Sequence, residues 1–312
     1  MKGFLKLIQK LKNNFYFPFA ILGIIIFLIS ICADLFLFFN FNKTATLSIK
    51  SDLPKIIYYP DFKKTEPINV SAQSYLVADA TTQKIIASKN LNLHFSPAST
   101  TKIMTALIGL NYFKLNQILT IKSSNIVPVV AGFIPGQKIT FENLLYAMLL
   151  PSANDAAVAI ADNYPGGKKA FVKEMNMKAN VLHLYDTRFS DPVGLNDDGD
   201  FTTPLDLFRL SSFALKNEVF KKIVSTKEKI IYTVDKSASF DLINLNELLG
   251  TDGVFGIKTG YTQDAGQVLV TALNKDGHTM IIIVMYSQDR FADTRALIND
   301  VVDNTNYLSI DL

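Results

Sequence analysis

Ser99 and Lys102, in the string Ser99-Thr100-Thr101-Lys102, stand three positions apart. On a helix that spacing puts both side chains on one face, about 5–6 Å apart at Cβ. A serine hydroxyl becomes a useful nucleophile only when a base takes its proton. A lysine can be that base only when its pKa falls, through burial or a second cation nearby. The run from Lys102 to Phe113 is apolar enough for a buried helix, so burial is available to Lys102. With Ser99 at the helix N-terminus, its backbone N–H is also placed to meet a developing oxyanion. The chemistry on offer is acyl transfer through a serine ester.

Two further strings supply what such a reaction needs. Ser152-Ala153-Asn154 lies between the helical stretches Phe141 to Leu150 and Asp155 to Ala161. Both residues can cap a helix, and both can serve chemistry, by relaying a proton to a leaving amine and holding a substrate amide. Lys258-Thr259-Gly260 closes the strand-like run from Val254 to Lys258. There Thr259 offers a hydroxyl and Lys258 a point charge to a substrate carboxylate, and Gly260 lets a substrate backbone come close. Lys258, if it borders the site, is also the second cation that would depress Lys102. A chain of this length holds roughly one S-x-x-K and one S-x-N by chance, and K-T-G in about one such chain in ten or fewer. Order and context therefore carry the reading.

The elements that must position these groups follow from pattern. Tyr75 to Ala78 and Lys84 to Ser88 read as a hairpin around Ala80-Thr81-Thr82-Gln83. Residues 115 to 225 are mostly helical, with breaks such as Asp191-Pro192-Val193-Gly194. Gly253 to Thr259, Gln267 to Leu273 and Met280 to Tyr286 read as strands, the last two joined by a turn at Asn274-Lys275-Asp276-Gly277. Asp293 to Asn304 reads as a closing helix. Strands at both ends with helices between predict one mixed sheet fed by both ends, with a helical insertion.

Hydrophobic residues make up 49% of the 312, ample for a core, and a net charge of +3 leaves no nucleic-acid footprint. His94, His183 and His278 lie far apart with no zinc spacing, so no metal or other cofactor is expected. Lys2, Lys6, Lys10 and Lys12 precede 19 uncharged residues, Phe15 to Ala33. As a helix that stretch rises about 28 Å, close to the hydrocarbon thickness of a bilayer, and the lysines put the N-terminus in the cytoplasm. Ser30-Ile31-Cys32 could be a cleavage site, but the apolar run exceeds a usual signal peptide and continues in Leu35 to Phe39. The expected organisation is a cytoplasmic end (1–14), a single-pass anchor (15–39), a stalk (40–70) and an extracytoplasmic catalytic domain (71–312). Cys32 is the sole cysteine, so no intrachain disulfide can form.

At Pro97-Ala98-Ser99-Thr100-Thr101-Lys102-Ile103-Met104-Thr105-Ala106, Ser152-Ala153-Asn154-Asp155-Ala156-Ala157 and Gly256-Ile257-Lys258-Thr259-Gly260-Tyr261-Thr262, the chain resembles the D-alanyl-D-alanine carboxypeptidases, low-molecular-weight penicillin-binding proteins. The likeness spans roughly residues 70 to 305. It implies an α+β fold of the β-lactamase and DD-peptidase type: an antiparallel sheet flanked by helices, with an all-helical subdomain. It implies a Ser99 acyl-enzyme and an oxyanion hole from the backbone N–H groups of Ser99 and Tyr261. It makes Arg290 the counterpart of an arginine that helps bind the substrate's terminal carboxylate, peptidoglycan stem peptides the substrate, and β-lactams inhibitors. Many members carry a second, β-rich domain and a C-terminal amphipathic anchor. Neither is read before Leu312, and the N-terminal helix is expected to anchor instead. Two related activities stay open, a cross-link endopeptidase and a β-lactamase, although Glu142-Asn143-Leu144-Leu145 does not fit a lactamase's E-x-x-L-N string. A catalytically silent wall-binding module is the alternative from another class.

Overall fold

The computed structural model describes residues 27–33, 56–63, 68–123 and 129–311. The chain divides into two compact units, 1–55 and 56–312. In the first, residues 27–33 are helical and exposed. The rest of the expected membrane span, 15–39, lies outside the described residues, and among the described residues no helix is long and apolar enough to cross a membrane.

The second unit opens with β1 (Ile56–Asp61), β2 (Ser74–Asp79) and β3 (Lys84–Lys89). A 3₁₀ turn, Ala98–Thr101, then runs directly into α1 (Lys102–Tyr112). A small ribbon, β4 (Ile118–Thr120) with β5 (Lys138–Thr140), precedes α2 (Phe141–Leu149), α3 (Asn154–Asn163) and α4 (Gly167–Val181). Next come α5 (Pro204–Ala214), α6 (Glu218–Val224) and a second ribbon, β6 (Glu228–Tyr232) with β7 (Ser239–Ile243). The last third supplies β8 (Val254–Thr262), β9 (Gly266–Lys275), β10 (His278–Ser287), α7 (Arg290–Leu297), a π turn (Ile298–Val302) and β11 (Asn306–Asp311).

The central sheet has the order β3-β2-β10-β9-β8, and every neighbour is antiparallel. The antiparallel sheet implied by the resemblance is found, and the mixed sheet drawn from the strand pattern is not. Short turns join β2 to β3, β8 to β9 and β9 to β10, and such turns can only pair strands antiparallel. In the one distant pairing, Met280 faces Asp79 and Met285 faces Ser74, again antiparallel.

Both faces of this sheet are covered, which explains the unbroken apolar run of β10. Ile281, Ile283 and Met285 point into the large core shared with α1, α2, α3 and α5. Met280, Ile282 and Val284 alternate to the other face, under Phe291, Leu297 and Val301 of the closing helical segment. Each such side chain contributes about 1.5–3 kcal/mol on burial. On the helical side, α3 is buried from Asn154 through Ala161, its alanines letting α2 and α4 pack close.

Local chemistry sets several boundaries. Asp289 caps α7 by accepting from Phe291 and Ala292 N–H, so that helix starts at Arg290, three residues before the expected Asp293. Ile56–Asp61, within the stretch expected to be a stalk, is a strand paired antiparallel to β11. Neither β11 nor the β4–β5 and β6–β7 ribbons is part of the sequence reading.

Candidate active site

The Ser99–Lys102 pair is built by a 3₁₀ turn, not by two positions of one α-helix. In a 3₁₀ turn side chains three apart eclipse. Lys102 Nζ lies 2.8 Å from Ser99 Oγ and 3.0 Å from the Val193 carbonyl, donating to both. Lys102 is wholly buried, whereas Ser99 is half-buried and reachable. Burial lowers the Lys102 pKa from 10.5 to about 7, against the opposing pull of Asp191. A neutral amine at this distance can accept the Ser99 proton along the same contact. Ala98, just before Ser99, holds a φ of +47°. That left-handed conformation costs about 1–3 kcal/mol in a residue with a side chain, and surrounding structure must hold it.

Part of that hold comes from the loop after α4. The Asp191 carboxylate accepts backbone N–H bonds from Val193, Gly194, Leu195 and Asn196, at 2.6 to 3.3 Å. The loop thereby presents the Val193 carbonyl to Lys102, and Thr105 Oγ1 bonds the Pro192 carbonyl at 2.7 Å. At Gly194 (φ +79°) a Cβ would fall 1.9 Å from the Ala98 carbonyl oxygen, so only glycine lets the loop lie against the Ser99 turn.

Lys258 is 1% exposed and donates to the Thr259 carbonyl at 3.0 Å. Its pKa is pushed well below 10.5, first by burial and then by the positive charges of Lys102 and Arg290. Gly260 passes close to Ser99: a Cβ there would sit 3.1 Å from Ala98 Cβ and 3.2 Å from the Ser99 backbone nitrogen. Arg290, half-buried at the start of α7, donates through Nη1 to the Gly260 carbonyl at 2.9 Å. Thr259 is buried, and the Tyr261 side chain is 64% exposed. β8 is the edge of the sheet, so it has a strand partner on one side only.

The structure thus joins Ser99, Lys102, Lys258, Gly260 and Arg290 through contact or charge. Ser152 and Asn154 form no hydrogen bond to that group among the described residues. Both are buried at the head of α3, and Ser152 Oγ and Asn154 Oδ1 have no hydrogen-bond partner. Ser152 holds φ +67°, a second strained position in the chain's motif residues. The neighbouring Asp155 carboxylate accepts N–H bonds from Ala131, Gly132 and Phe133. It ties the 131–133 segment to the S-x-N turn.

No sequence motif marks Asp191, Gly194 or Asp197, and their loop reads only as a helix break. An Asp-Pro-x-Gly string is a turn signal, since aspartate bonds its own downstream backbone. That signal marks a turn without saying what the turn touches.

A family model described as D-alanyl-D-alanine carboxypeptidase matches residues 61–289. The chain is 32% identical over 259 residues to D-alanyl-D-alanine carboxypeptidase DacF of Bacillus subtilis, a match covering 80% of this chain and 66% of that protein. It is 32% identical to a D-alanyl-D-alanine endopeptidase of Pseudomonas aeruginosa, covering 73% and 76%. The crystal structure of the Streptomyces K15 DD-transpeptidase superposes with a TM-score of 0.72 at 33% identity, covering 76% of this chain and 98% of that one.

Proposed function

Because this chain belongs to the D-alanyl-D-alanine carboxypeptidase family, we propose that it removes the terminal D-alanine from peptidoglycan stem peptides and is inhibited by β-lactams. The 2.8 Å contact between Ser99 Oγ and a buried Lys102 with a pKa of about 7 carries this reading. Ser99 Oγ attacks the carbonyl of the penultimate D-alanine as its proton passes to Lys102 Nζ. The oxyanion is met by the backbone N–H groups of Ser99 and Tyr261. Ser152 relays a proton to the leaving amine, giving its own and regaining the one Lys102 took from Ser99, a role its buried, unpartnered hydroxyl suits, and Asn154 holds the substrate amide. The leaving D-alanine's carboxylate rests on Thr259 and Lys258, with Arg290 adding charge from behind the Gly260 carbonyl. Water then attacks the Ser99 ester and releases the shortened peptide. The free edge of β8 favours this pose, since an extended peptide can lie along it.

Residues 15–39 act as a single-pass membrane anchor in this proposal, with the catalytic unit outside the cytoplasm. The four lysines before an uncharged 19-residue stretch support it. Protease added to intact cells should then remove the catalytic unit.

A second reading has its own support. A cleft of about 610 Å³, lined by Tyr261, Gln267, Arg290 and Arg295 among others, opens beside the carboxylate-binding groups. It leaves room for a leaving group larger than alanine, as in a cross-link endopeptidase. The test incubates the full chain, and Ser99→Ala, with a peptide ending in D-Ala-D-Ala and assays free D-alanine. Release by the parent alone upholds the carboxypeptidase. No release, with penicillin still acylating Ser99, turns the reading to the endopeptidase. Neither release nor acylation leaves a wall-binding module.

A further inference from the structure

The nucleophile's turn and the K-T-G strand come from opposite ends of the catalytic unit, and no direct hydrogen bond joins residues 95–102 to β8 among the described residues. What fixes their separation? On one side is contact. Gly260 lies against Ala98 and the Ser99 nitrogen so closely that a Cβ would have 3.1–3.2 Å. Contact of that kind stops the segments closing further and does nothing to stop them parting.

The tie comes from a third segment. Asp197 Oδ1 accepts from Ser96 Oγ and, at 2.9 Å, from Thr262 Oγ1. Ser96 lies three residues before Ser99, and Thr262 directly follows Tyr261. Asp197 itself rides on a braced loop: Asp191 gathers the N–H groups of residues 193–196, and Gly199 and Asp200 N–H bond the Asn196 carbonyl. Thr262 Oγ1 accepts in turn from Ala265 N–H, which fixes the end of β8 at its turn. Hydroxyl bonds to an ionised carboxylate are shorter and about twice as strong as neutral ones.

We propose that Asp197 is a positioning residue: one carboxylate oxygen, bridging Ser96 and Thr262, holds the nucleophile's turn and β8 at the separation that lets the Ser99 and Tyr261 N–H groups meet one substrate oxygen. The proposal rests on the acyl-transfer reading above. Losing a whole oxyanion donor costs about 100- to 1,000-fold in kcat. Asp197 sets a distance without donating, so its loss is smaller, roughly 10- to 100-fold.

The test measures the acylation rate of Ser99 by a fluorescent penicillin, kcat and KM for the D-Ala-D-Ala peptide, and Tm, on the full chain. Asp197→Ala is expected to slow acylation and lower kcat roughly 10- to 100-fold, with KM changed about twofold or less. Asp197→Asn keeps an acceptor in the same place and should recover most of the rate. Adding Ser96→Ala to Asp197→Ala should cost nothing more, because both remove the same bridge. Unchanged acylation in Asp197→Ala would overturn the proposal. So would strictly additive losses, or a loss in Asp197→Ala and Asp197→Asn alike that follows a fall in Tm. A parent that penicillin acylates but that releases no D-alanine defeats the carboxypeptidase reading and leaves the bridge to be judged by acylation. A parent that is not acylated at all defeats both.

Discussion

Lys102→Met is close in length and removes the amine. Acylation of Ser99 should cease, yet the fold should gain stability at pH 7. Burial holds Lys102 at about 7, against 10.5 for an ordinary lysine. Between those values the folded chain binds fewer protons than the unfolded chain, so parent stability climbs as pH rises through that window. At pH 7 the folded state is disfavoured by roughly 4 kcal/mol on this account, falling below about 1 kcal/mol by pH 10. The variant escapes that cost. It leaves the Val193 carbonyl without its donor, a loss of about 1–3 kcal/mol. The net gain is about 1–3 kcal/mol at pH 7, or roughly 2–10 °C in Tm for a unit of this size. Lys258 adds in the same direction, since the Lys102 charge helps depress it. Thermal unfolding of both proteins at pH 7, 8.5 and 10 reads the effect. The Tm gap should be widest at pH 7 and close or reverse by pH 10. A variant less stable than the parent at pH 7, or a gap indifferent to pH, would refute the idea that burial keeps Lys102 near neutrality.

Three other outcomes follow from the same geometry. Acylation by penicillin should rise with pH and reach half its plateau at about 7, falling about tenfold per pH unit below that, because only the neutral Lys102 accepts the Ser99 proton. A limb centred near 10 would mean an ordinary lysine. Gly194→Ala should slow acylation at least about tenfold and cost about 2 kcal/mol or more, since its Cβ would overlap the Ala98 carbonyl at a φ of +79°. Parent-like rates in that variant would show that the loop does not brace the turn. Binding of a D-Ala-D-Ala peptide to Ser99→Ala, at a pH below the usual lysine range, should take up protons, because the depressed Lys258 amine regains its charge beside a carboxylate. Calorimetry in two buffers of different ionisation heat measures it, and a buffer-independent heat contradicts it.

The residues most legible in the sequence are those whose chemistry needs a fixed short spacing. Ser99 and Lys102 can meet only across one turn, so S-x-x-K states the contact in four letters, and Lys258-Thr259-Gly260 marks its strand in three. The strands of β9 and β10 were equally plain, since a run such as Met280 to Tyr286 has few other homes than a sheet covered on both sides. Asp191, Gly194 and Asp197 were not legible, because they act through backbone groups or through partners 65 to 101 positions away. Nothing near Asp197 in sequence announces Ser96 or Thr262. The Ile56–Asp61 and Asn306–Asp311 strands failed for the same reason: each is short and, among the described residues, paired only with the other. Arg290, carried by likeness alone, was placed beside β8 only by the fold.

The pairing of first strand with last also sets an order in time. Ile56 sits opposite Asp311, and Leu76 opposite Ile283. Neither β1 nor β2 can find its distant neighbour until almost the whole unit has left the ribosome. At about 5–20 residues per second, Leu76 waits roughly 10–40 seconds for its partner strand. Through that interval Tyr75 to Ala78 can pair only with β3, leaving the face that will meet β10 without a sheet neighbour. The helical core can assemble meanwhile, but the Ser99 turn stays without β8 until residue 262 arrives. Ser99 is therefore made early and meets β8 late, and a ribosome that stalls before the K-T-G strand yields a chain that holds Ser99 and Lys102 without β8 beside them.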